Sequence, residues 1–300
     1  MKQDQKNICP ICKSEQTVHL YNCTDFLVSK EVFDLCKCQN CTFIFTLNPP
    51  LEKEIGTYYQ STNYISHSNT TKGVVNKLYH LVRTYMLKKK GNLIEKYSHK
   101  GDILDVGAGI GLFADEMRQR EWTVEGIEKS EKARKFALSE FNVALNDVSH
   151  WDNIKDKSKD VITLWHVLEH IYDLDNTWSE LKRVLKDDGC LIIALPNSSS
   201  YDAKHYKKDW AAFDVPRHLW HYNPNSFKIN AENQGFAVID KIKMNFDGFY
   251  ISMLSEQNKG SKLSFIKGVF FGFIGWIRAL INRSNSSSII YVLKKNSVEL

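Results

Sequence analysis

Two histidines and a glutamate lie within five residues of one another in the segment ITLWHVLEH, residues 162–170. His166, Glu169 and His170 are spaced i, i+3 and i+4, so they would share one face if a helix began at His166. A neutral imidazole can accept a proton from a reacting group, and imidazoles with a carboxylate can bind a divalent cation. We predict that His166 is a general base supported by Glu169 and His170. The alternatives are a purely structural role for Glu169 and His170, and a metal site.

A second concentration of ionisable and aromatic side chains lies between residues 206 and 221. Its members are Tyr206, Trp210, Phe213, Asp214, Arg217, His218, Trp220 and His221. Pro216 punctuates the segment, so we predict a loop that forms the wall of the substrate pocket, with Arg217 and His218 among the catalytic groups. The alternative is a packed surface loop.

Cysteines are concentrated at the other end of the chain, with six of the seven in the first 41 residues. The pairs Cys9-Pro-Ile-Cys12 and Cys38-Gln-Asn-Cys41 are separated by 25 residues, and two such C-x2-C knuckles complete a tetrahedral zinc site. The predicted ligands are Cys9, Cys12, Cys38 and Cys41, with Cys36 as a competitor for the place of Cys38. Lys13 and Thr42 stand where such knuckles often carry glycine.

The start of the chain, MKQDQKNICP, has no apolar core, so we expect no signal peptide and a cytoplasmic location. Thiolates that hold metal are then favoured over a disulfide framework.

From Gly101 onward, short apolar segments alternate with helical ones. The predicted strands are GDILDVG, WTVEGIE, NVALND, DVITLW and CLIIALP, with FAVIDKIKM and SSIIYVL as later β-like segments; the predicted helices are 111–121, 130–141 and 174–185. Short strands rich in Val, Ile and Leu that alternate with helices indicate a parallel sheet covered on both faces. The predicted fold is therefore α/β and doubly wound.

The turn after the first of these strands carries LDVGAGIGLF, with Gly107, Gly109 and Gly111 spaced G-x-G-x-G. A dinucleotide fingerprint needs its third glycine at position 112, and a P-loop needs Lys followed by Ser or Thr, so neither pattern is met. Two acids accompany the loop. Glu128 ends the second strand and can accept hydrogen bonds from ribose hydroxyls, and Asp147 ends the third strand, where it can meet an adenine amino group.

LDVGAGIG, with GIE at the end of the second strand, resembles the class I S-adenosylmethionine-dependent methyltransferases over residues 75–300. WHVLEH, LPN and WAAFDVPRHLWHY resemble a bacterial branch of these enzymes that carries an N-terminal zinc ribbon. The resemblance implies a Rossmann-like sheet of seven strands, mostly parallel with the last antiparallel, and methyl transfer from S-adenosylmethionine. A domain that binds another nucleotide is the alternative.

Carried over by position, the resemblance places Asp105 and the three glycines at the methionine part of the cofactor, Glu128 at the ribose and Asp147 at the adenine. Trp165 leaves the fourth strand beside the expected sulfonium, where an aromatic face attracts a cation.

Three parts of the chain are predicted: a zinc ribbon at 1–48, a linker with lid helices at 49–100, and the methyltransferase domain at 101–300. Within the second part, Leu78, Leu81, Val82, Tyr85 and Met86 have helical spacing, which predicts an apolar stripe that packs on something larger. Lys88–Lys90 predict a solvated face.

The segment GVFFGFIGWI, Gly268–Ile277, is ten residues without a charge, flanked by Lys267 and Arg278. A spanning helix needs about 20 apolar residues, so we expect no transmembrane segment. We predict a buried helix of the main domain. The alternative is an interfacial or substrate-facing surface that makes peripheral membrane contact through residues 265–280.

The net charge of +5, from 40 Lys and Arg against 35 Asp and Glu, is too small to indicate a nucleic-acid binder. Residues 1–41 carry five lysines and five acids, so the ribbon is not a basic surface for RNA. No Asn/Asp-Pro-Pro-aromatic turn follows the fourth strand, which disfavours nucleobase amines as acceptors. We predict methyl transfer to a small molecule or biosynthetic intermediate, at oxygen. An RNA methyltransferase and a non-catalytic cofactor-binding scaffold are the alternatives.

Overall fold

The computed structural model describes residues 7–60 and 74–296, except for the side chains of residues 74–80. Within these ranges the strands are β1 (Thr17–Thr24), β2 (Val32–Cys38), β3 (Ile44–Thr46), β4 (Asp102–Val106), β5 (Thr123–Ile127), β6 (Lys159–Trp165), β7 (Leu185–Pro196), β8 (Trp220–His221), β9 (Phe236–Lys243) and β10 (Ser288–Lys295). The helices are α1 (Val74–Tyr97), α2 (Leu112–Gln119), α3 (Glu131–Phe141), α4 (Leu174–Val184), α5 (Tyr201–Tyr206), α6 (Pro224–Asn233), α7 (Asp247–Asn258) and α8 (Ser264–Ile281).

The chain divides into two compact units. The first unit comprises Met1–Tyr64, Leu168–Tyr172 and Ala194–Tyr291, and the second comprises Ile65–Val167, Asp173–Ile193 and Val292–Leu300. The first unit contains the cysteine knuckles and the loop at 206–221, whereas the second contains the glycine-rich loop. The boundaries expected at residues 48 and 100 stay predictions.

The main sheet has six strands in the order β5-β4-β6-β7-β10-β9. β4 pairs in parallel with β5 and with β6, so that Asp105 lies opposite Gly126 on one side and Thr163 on the other. Helices α2, α3 and α4 connect the strands β4, β5, β6 and β7 in turn, as parallel neighbours require. The predicted doubly wound α/β fold with a mostly parallel sheet is confirmed.

The strand expected at NVALND, residues 142–147, is reduced to a single parallel bridge between Ile127 and Asn146, so the sheet has six strands among the described residues rather than seven. Asn142 takes a left-handed conformation at the end of α3. Asp147 accepts a hydrogen bond from the backbone N–H of Ser149 at the start of a short 3-10 turn. Asn142 caps the end of α3 and Asp147 caps the start of the 3-10 turn. Too few residues remain between them to form a continuous set of strand hydrogen bonds with β5.

The fifth strand also begins earlier than expected. α4 ends at Val184 and β7 begins at Leu185, five residues before Cys190. The charged residues Lys186, Asp187 and Asp188 are extended and belong to β7, and Lys186 pairs with Asp160 of β6 at 2.7 Å.

A second sheet lies in the first unit, in the order β1-β2-β3-β8 with antiparallel pairs. Its fourth strand, β8, comes from the loop at 206–221. Cys23, Leu35 and Ile44 of the ribbon strands share an apolar cluster with Trp210 and Phe213 of that loop. The loop is therefore part of the ribbon's own core.

The stripe predicted in α1 is not covered as expected. Leu81 and Tyr85 are 69% and 44% exposed, and the side chain of Leu78 lies outside the described residues. The helix is held through polar contacts instead, because Arg120 packs on Gly91 and pairs with Glu95 at 2.8 Å.

The predicted burial of Gly268–Ile277 is wrong. These residues belong to α8, whose Phe265, Phe270 and Phe273 are 61%, 59% and 49% exposed. Within the described ranges, α8 is the one helix long and apolar enough to cross a membrane by length and composition, and 17% of it is buried.

Candidate active site

The glycine-rich loop follows β4 in the second unit, and all three of its glycines have positive φ. A Cβ on Gly107 would lie 2.4 Å from Val167, and one on Gly111 would lie 2.8 Å from Ala137, so these two glycines are required by packing. Gly109 differs, because nothing lies within 4 Å of the place its Cβ would take. Its open side is where a ligand can approach the backbone.

Glu128 is tied to this loop by its carboxylate. One oxygen accepts a hydrogen bond from the Gly109 N–H and the other from the Ser130 N–H, both at 2.8 Å. A carboxylate fixed by two backbone donors is preorganised, so it can receive ribose hydroxyls without reorienting.

Asp105 is the buried acid of the site, at 2% exposed, and its carboxylate accepts a 2.7 Å hydrogen bond from the Thr163 hydroxyl. Burial raises the pKa of Asp105 to about 7, against the lowering effect of Thr163 and the Lys90 ammonium. A carboxyl group with this pKa gains negative charge when a cation binds beside it, which suits the ammonium and sulfonium groups of the expected cofactor.

Trp165 ends β6 with its indole ring against Phe113, in an edge-on contact with ring centroids 5.2 Å apart. The Lys90 ammonium lies 4.2 Å from the centroid of the Trp165 ring. Lys90 is therefore not part of a solvated face, contrary to the expectation for Lys88–Lys90. The contact with a sulfonium stays a prediction, and Lys90 demonstrates that this ring accepts a cation.

Asp147 is exposed, and its carboxylate accepts from the N–H and the hydroxyl of Ser149. The hydrogen bonds from Ser149, the hydroxyl first, hold the pKa of Asp147 below its ordinary value. The carboxylate is ionised at neutral pH, as an acceptor for the adenine amino group must be, and its contact with adenine stays a prediction.

The open side of Gly109 gives a direct test of the cofactor loop. We expect Gly109→Arg to weaken S-adenosylmethionine binding by about 100-fold or more, because the new side chain fills the open space beside the Gly109 backbone and adds positive charge. Titration calorimetry with the purified protein measures the change. Gly260→Arg is the matched control, because Gly260 also has positive φ and open space around its missing Cβ. Equal losses in both variants would contradict the assignment of the loop.

His166 follows Trp165 directly and has a left-handed backbone with φ 59°. The short 3-10 turn that follows contains only Leu168–His170, so no helix begins at His166. The expectation that His166, Glu169 and His170 share a helical face is wrong, because the reversed handedness at His166 breaks the helix before it starts.

Glu169, His170 and His218 converge in the first unit, where one ligand atom from each lies within 4.8 Å of the others. His170 Nδ1 donates to the carbonyl oxygen of Arg217 at 3.0 Å, and His218 Nδ1 donates to that of Ala212 at 2.9 Å. Carbonyl acceptors fix both imidazoles with the proton on Nδ1, which leaves Nε2 as the accepting nitrogen. Histidines oriented in this way present Nε2 as a ligand for a divalent cation.

His170 is also held neutral by its surroundings. Burial, then the neighbouring His218, lowers the pKa of His170 to about 4. The ring of His218 meets it edge-on with centroids 4.5 Å apart, and the Tyr59 hydroxyl lies 3.1 Å from its Nδ1.

This lowered pKa predicts acid sensitivity. The unfolded chain takes up a proton on His170 below about pH 6.5 while the folded chain resists it until about pH 4, so stability falls as the pH drops between these values, by about 3 kcal/mol in all. We expect His170→Gln to flatten the fall in unfolding free energy between about pH 7 and about pH 5, measured by urea denaturation. The exposed His99→Gln is the control and should follow the wild type.

Arg217 does not face a substrate-sized space, because its side chain is 1% exposed and its donors are used within the first unit. The guanidinium donates to Asp25 at 2.9 Å, to both carboxylate oxygens of Asp214 at 2.6 and 3.0 Å, and to the carbonyl oxygen of Tyr58 at 2.9 Å. Burial raises the pKa of Asp25, but the hydrogen bond and charge of Arg217, together with the N–H groups of Ser29 and Val28, outweigh it and leave that pKa below its ordinary value. These contacts favour a positioning role for Arg217 over the predicted catalytic one.

The four-cysteine cluster meets the geometry of a metal site. The sulfurs of Cys9, Cys12, Cys38 and Cys41 all lie within 4.8 Å of one another, with Cys9–Cys41 at 3.5 Å and Cys12–Cys38 at 3.6 Å. Tetrahedral bonds of about 2.3 Å to a metal ion place sulfurs roughly 3.8 Å apart. Cys36 is not a member of this cluster, so the geometry favours Cys38 over Cys36 as the metal ligand.

Lys13 and Thr42 follow the second cysteine of each knuckle and have φ of 57° and 63°. Their N–H groups donate to the carbonyls of Cys9 and Cys38 at 3.0 and 3.1 Å, which closes each knuckle. The turn requires a left-handed residue, and this explains why glycine is common at these positions.

Two contributors were not predicted from the sequence: Asp25, which pairs with Arg217, and Lys90, whose ammonium lies over the Trp165 ring. Asp25 and Arg217 are 192 residues apart, so no local pattern links them. Lys90 belongs to a run of three lysines, and only its contact with Trp165 sets it apart from the others.

A glycine turn that lacks the third glycine of a dinucleotide fingerprint and is bound to an acid at the end of the next strand fits the S-adenosylmethionine-dependent methyltransferases. Residues 79–241 match the sequence model of the methyltransferase domain family, and the chain belongs to that family.

Three relatives are similar to parts of the chain. An uncharacterized protein of Methanocaldococcus jannaschii is 27% identical over 49% of this chain and 64% of its own length. A ubiquinone biosynthesis O-methyltransferase of Pelagibacter ubique is 32% identical over 32% of this chain and 42% of its own. A probable S-adenosylmethionine-dependent methyltransferase of Mycolicibacterium smegmatis is 24% identical over 59% and 68%. The chain thus spans less than two thirds of the first two relatives.

Two solved structures are similar to about seven tenths of the chain. A methyltransferase from Archaeoglobus fulgidus has a TM-score of 0.47 at 18% identity, over 71% of this chain and 94% of that one. A possible histamine N-methyltransferase from Thermotoga maritima has a TM-score of 0.49 at 16% identity, over 74% and 96%.

Proposed function

We propose that this methyltransferase transfers the methyl group of S-adenosylmethionine to a hydroxyl oxygen of a small molecule, with His166 as the group that removes the hydroxyl proton. S-adenosylmethionine supplies an electrophilic methyl group, and an acceptor oxygen attacks it in line with the departing sulfur. A hydroxyl group is a weak nucleophile unless its proton leaves, so an oxygen acceptor needs a base, whereas a neutral amine does not.

The observation that carries this proposal is the left-handed backbone of His166, at φ 59°. It follows Trp165 at the carboxyl end of β6, beside β4, the strand that leads into the glycine loop. A non-glycine residue with positive φ costs energy, and such strain concentrates at functional sites. Ligands of open α/β sheets bind at this end of the strands, which favours His166 as a reacting group over a purely structural residue.

The other residues of the second unit serve binding in this proposal. Glu128 receives the ribose hydroxyls, with its carboxylate already held by the Gly109 and Ser130 amides. Asp105 carries the charge that faces the cationic end of the cofactor. Trp165 lends its ring face to the sulfonium and excludes water from it.

An oxygen acceptor is also favoured by the Pelagibacter ubique relative, which is named for O-methylation in ubiquinone biosynthesis. The zero charge balance of residues 1–41 speaks against RNA, since phosphate contacts require an excess of cations. The intact cofactor loop speaks against a non-catalytic scaffold.

The experiment that tests the proposal compares matched acceptors. The purified protein is given S-adenosylmethionine with phenolic and aliphatic alcohols, with the amine analogue of each, and with total tRNA, and S-adenosylhomocysteine is measured. We expect turnover with members of the hydroxyl set, rising with pH through the histidine range, near 6.5. Transfer confined to the amines or to tRNA would overturn oxygen as the acceptor.

We also propose that the four-cysteine cluster holds zinc in a structural role. Four thiolates at tetrahedral spacing form a closed coordination sphere, which is typical of structural rather than catalytic zinc.

A further inference from the structure

Helix α8 is built with its small residues inside and its large ones outside. Gly268, Gly272 and Ala279 are its buried positions. A Cβ on Gly268 would lie 2.4 Å from the backbone of Met253, and one on Gly272 would lie 2.7 Å from that of Phe249, so α8 rests directly on α7. The opposite arrangement, with bulky apolar residues against the protein, is the rule for helices of soluble domains.

The large apolar side chains consequently form one exposed face. Its members, at 40–84% exposure, are Phe265, Ile266, Val269, Phe270, Phe273, Ile277, Leu280 and Ile281. Leu263, just before the helix, is 55% exposed as well. A contiguous exposed apolar surface of this kind is typical of a site that contacts a membrane or another protein.

Cations surround this face without any acid between them. Residues 257–283 contain Lys259, Lys262, Lys267, Arg278 and Arg283, all exposed, and no Asp or Glu. Arg283 pairs with Asp240 at 3.8 Å, which leaves a local excess of four positive charges on a chain whose net charge is +5. The combination of bulky apolar side chains with a basic rim matches an anionic bilayer surface, where the apolar groups enter the acyl region and the cations meet the headgroups.

We propose that α8 docks the protein on the surface of a membrane that contains anionic lipid, lying in the interface rather than crossing it. Crossing would require α8 to leave α7, which carries the buried polar residues Ser252, Ser255 and Glu256 and cannot follow it into lipid. The fixed contact on the glycine side leaves only the outer face for lipid.

A second copy of the chain is a less suitable occupant of this face. Two copies that met through α8 would bring their basic rims together, and like charges at close range oppose association. The charge pattern therefore selects an anionic surface.

The test measures binding of the full-length protein to vesicles by co-sedimentation, with phosphatidylglycerol and phosphatidylcholine mixed equally or with phosphatidylcholine alone. We expect strong binding to the anionic vesicles, weakened by salt, and at least about 10-fold weaker binding to the neutral ones. Replacing Phe265, Phe270 and Phe273 together with serine should lower the partition coefficient by about 100-fold, because three exposed phenyl groups no longer leave water. Lys262→Glu with Lys267→Glu should lower it by roughly 10-fold or more.

The matched control replaces Val18, Val32 and Leu138, three scattered residues with 41%, 60% and 54% exposure, with serine; it should bind vesicles like the wild type. Retained S-adenosylmethionine binding verifies that each variant is folded. Equal loss in the control and α8 variants, or no binding of the wild type to anionic vesicles, would overturn the proposal. The proposal would also be overturned if the wild type did not bind vesicles and instead formed a concentration-dependent dimer that the triple phenylalanine variant abolishes.

Discussion

Cys38→Ser is expected to reduce bound zinc from one per chain to nearly none and to unfold the ribbon. Cys38 is fully buried at the end of β2, and its sulfur receives the N–H of Cys41 at 3.5 Å. Structural zinc contributes on the order of 10 kcal/mol in small cysteine modules, so the loss exceeds the stability that the short ribbon strands provide alone. Elemental analysis gives the metal content, and circular dichroism with thermal melting gives the loss of structure.

Cys36→Ser is the matched control, because Cys36 lies two residues earlier in the same strand, is equally buried, and is outside the cluster. It should keep its zinc. Zinc loss in both variants, or a wild-type protein purified without chelator that contains no zinc, would contradict the four-cysteine assignment.

Turnover is expected to fall by about 10²–10⁴ in His166→Asn, while S-adenosylmethionine affinity stays within a few-fold. Asparagine tolerates the left-handed backbone that His166 adopts, so this variant removes the imidazole without disturbing the turn. His166→Gly keeps the same conformation at even lower cost. Both variants should be inactive if the imidazole is the proton acceptor, and both should be active if only the backbone shape matters.

His218→Ala completes the comparison. If His166→Asn keeps its turnover and His218→Ala loses it, the proton acceptor is His218. His221 is not a candidate base, because it is 3% exposed, its Nε2 lies 3.1 Å from the Thr46 hydroxyl, and burial lowers its pKa well below the ordinary value.

Features that depend on local spacing could be predicted from the sequence. The knuckles, the glycine loop and Glu128 are each defined within a few residues, and the structure places their backbones as expected. The strand at 142–147 and the helix at His166 could not be predicted, because each was decided by the backbone of one residue, Asn142 and His166. Apolar periodicity cannot reveal such a residue.

The misjudged helix has a different cause. The sequence identifies α8 as apolar but cannot tell which side is buried, because glycines and phenylalanines count together as apolar. The buried side of α8 is set by the contact of Gly268 and Gly272 with the backbone of α7. Predicting that side requires the position of α7 to be known. Arg217 is similar, since its role depended on Asp25 far away in the chain.

The buried pair of Asp25 and Arg217 has a consequence for how this gene can change. Removing Arg217 would leave the buried Asp25 carboxylate without its cation, at a cost of about 3–5 kcal/mol, whereas removing Asp25 would leave Arg217 with Asp214 as its carboxylate partner. The ribbon therefore cannot be exchanged for the ribbon of another protein without affecting the partner of Arg217. A ribbon acquired by recombination from another gene would keep this buried pair only if it brought an acid to the position of Asp25.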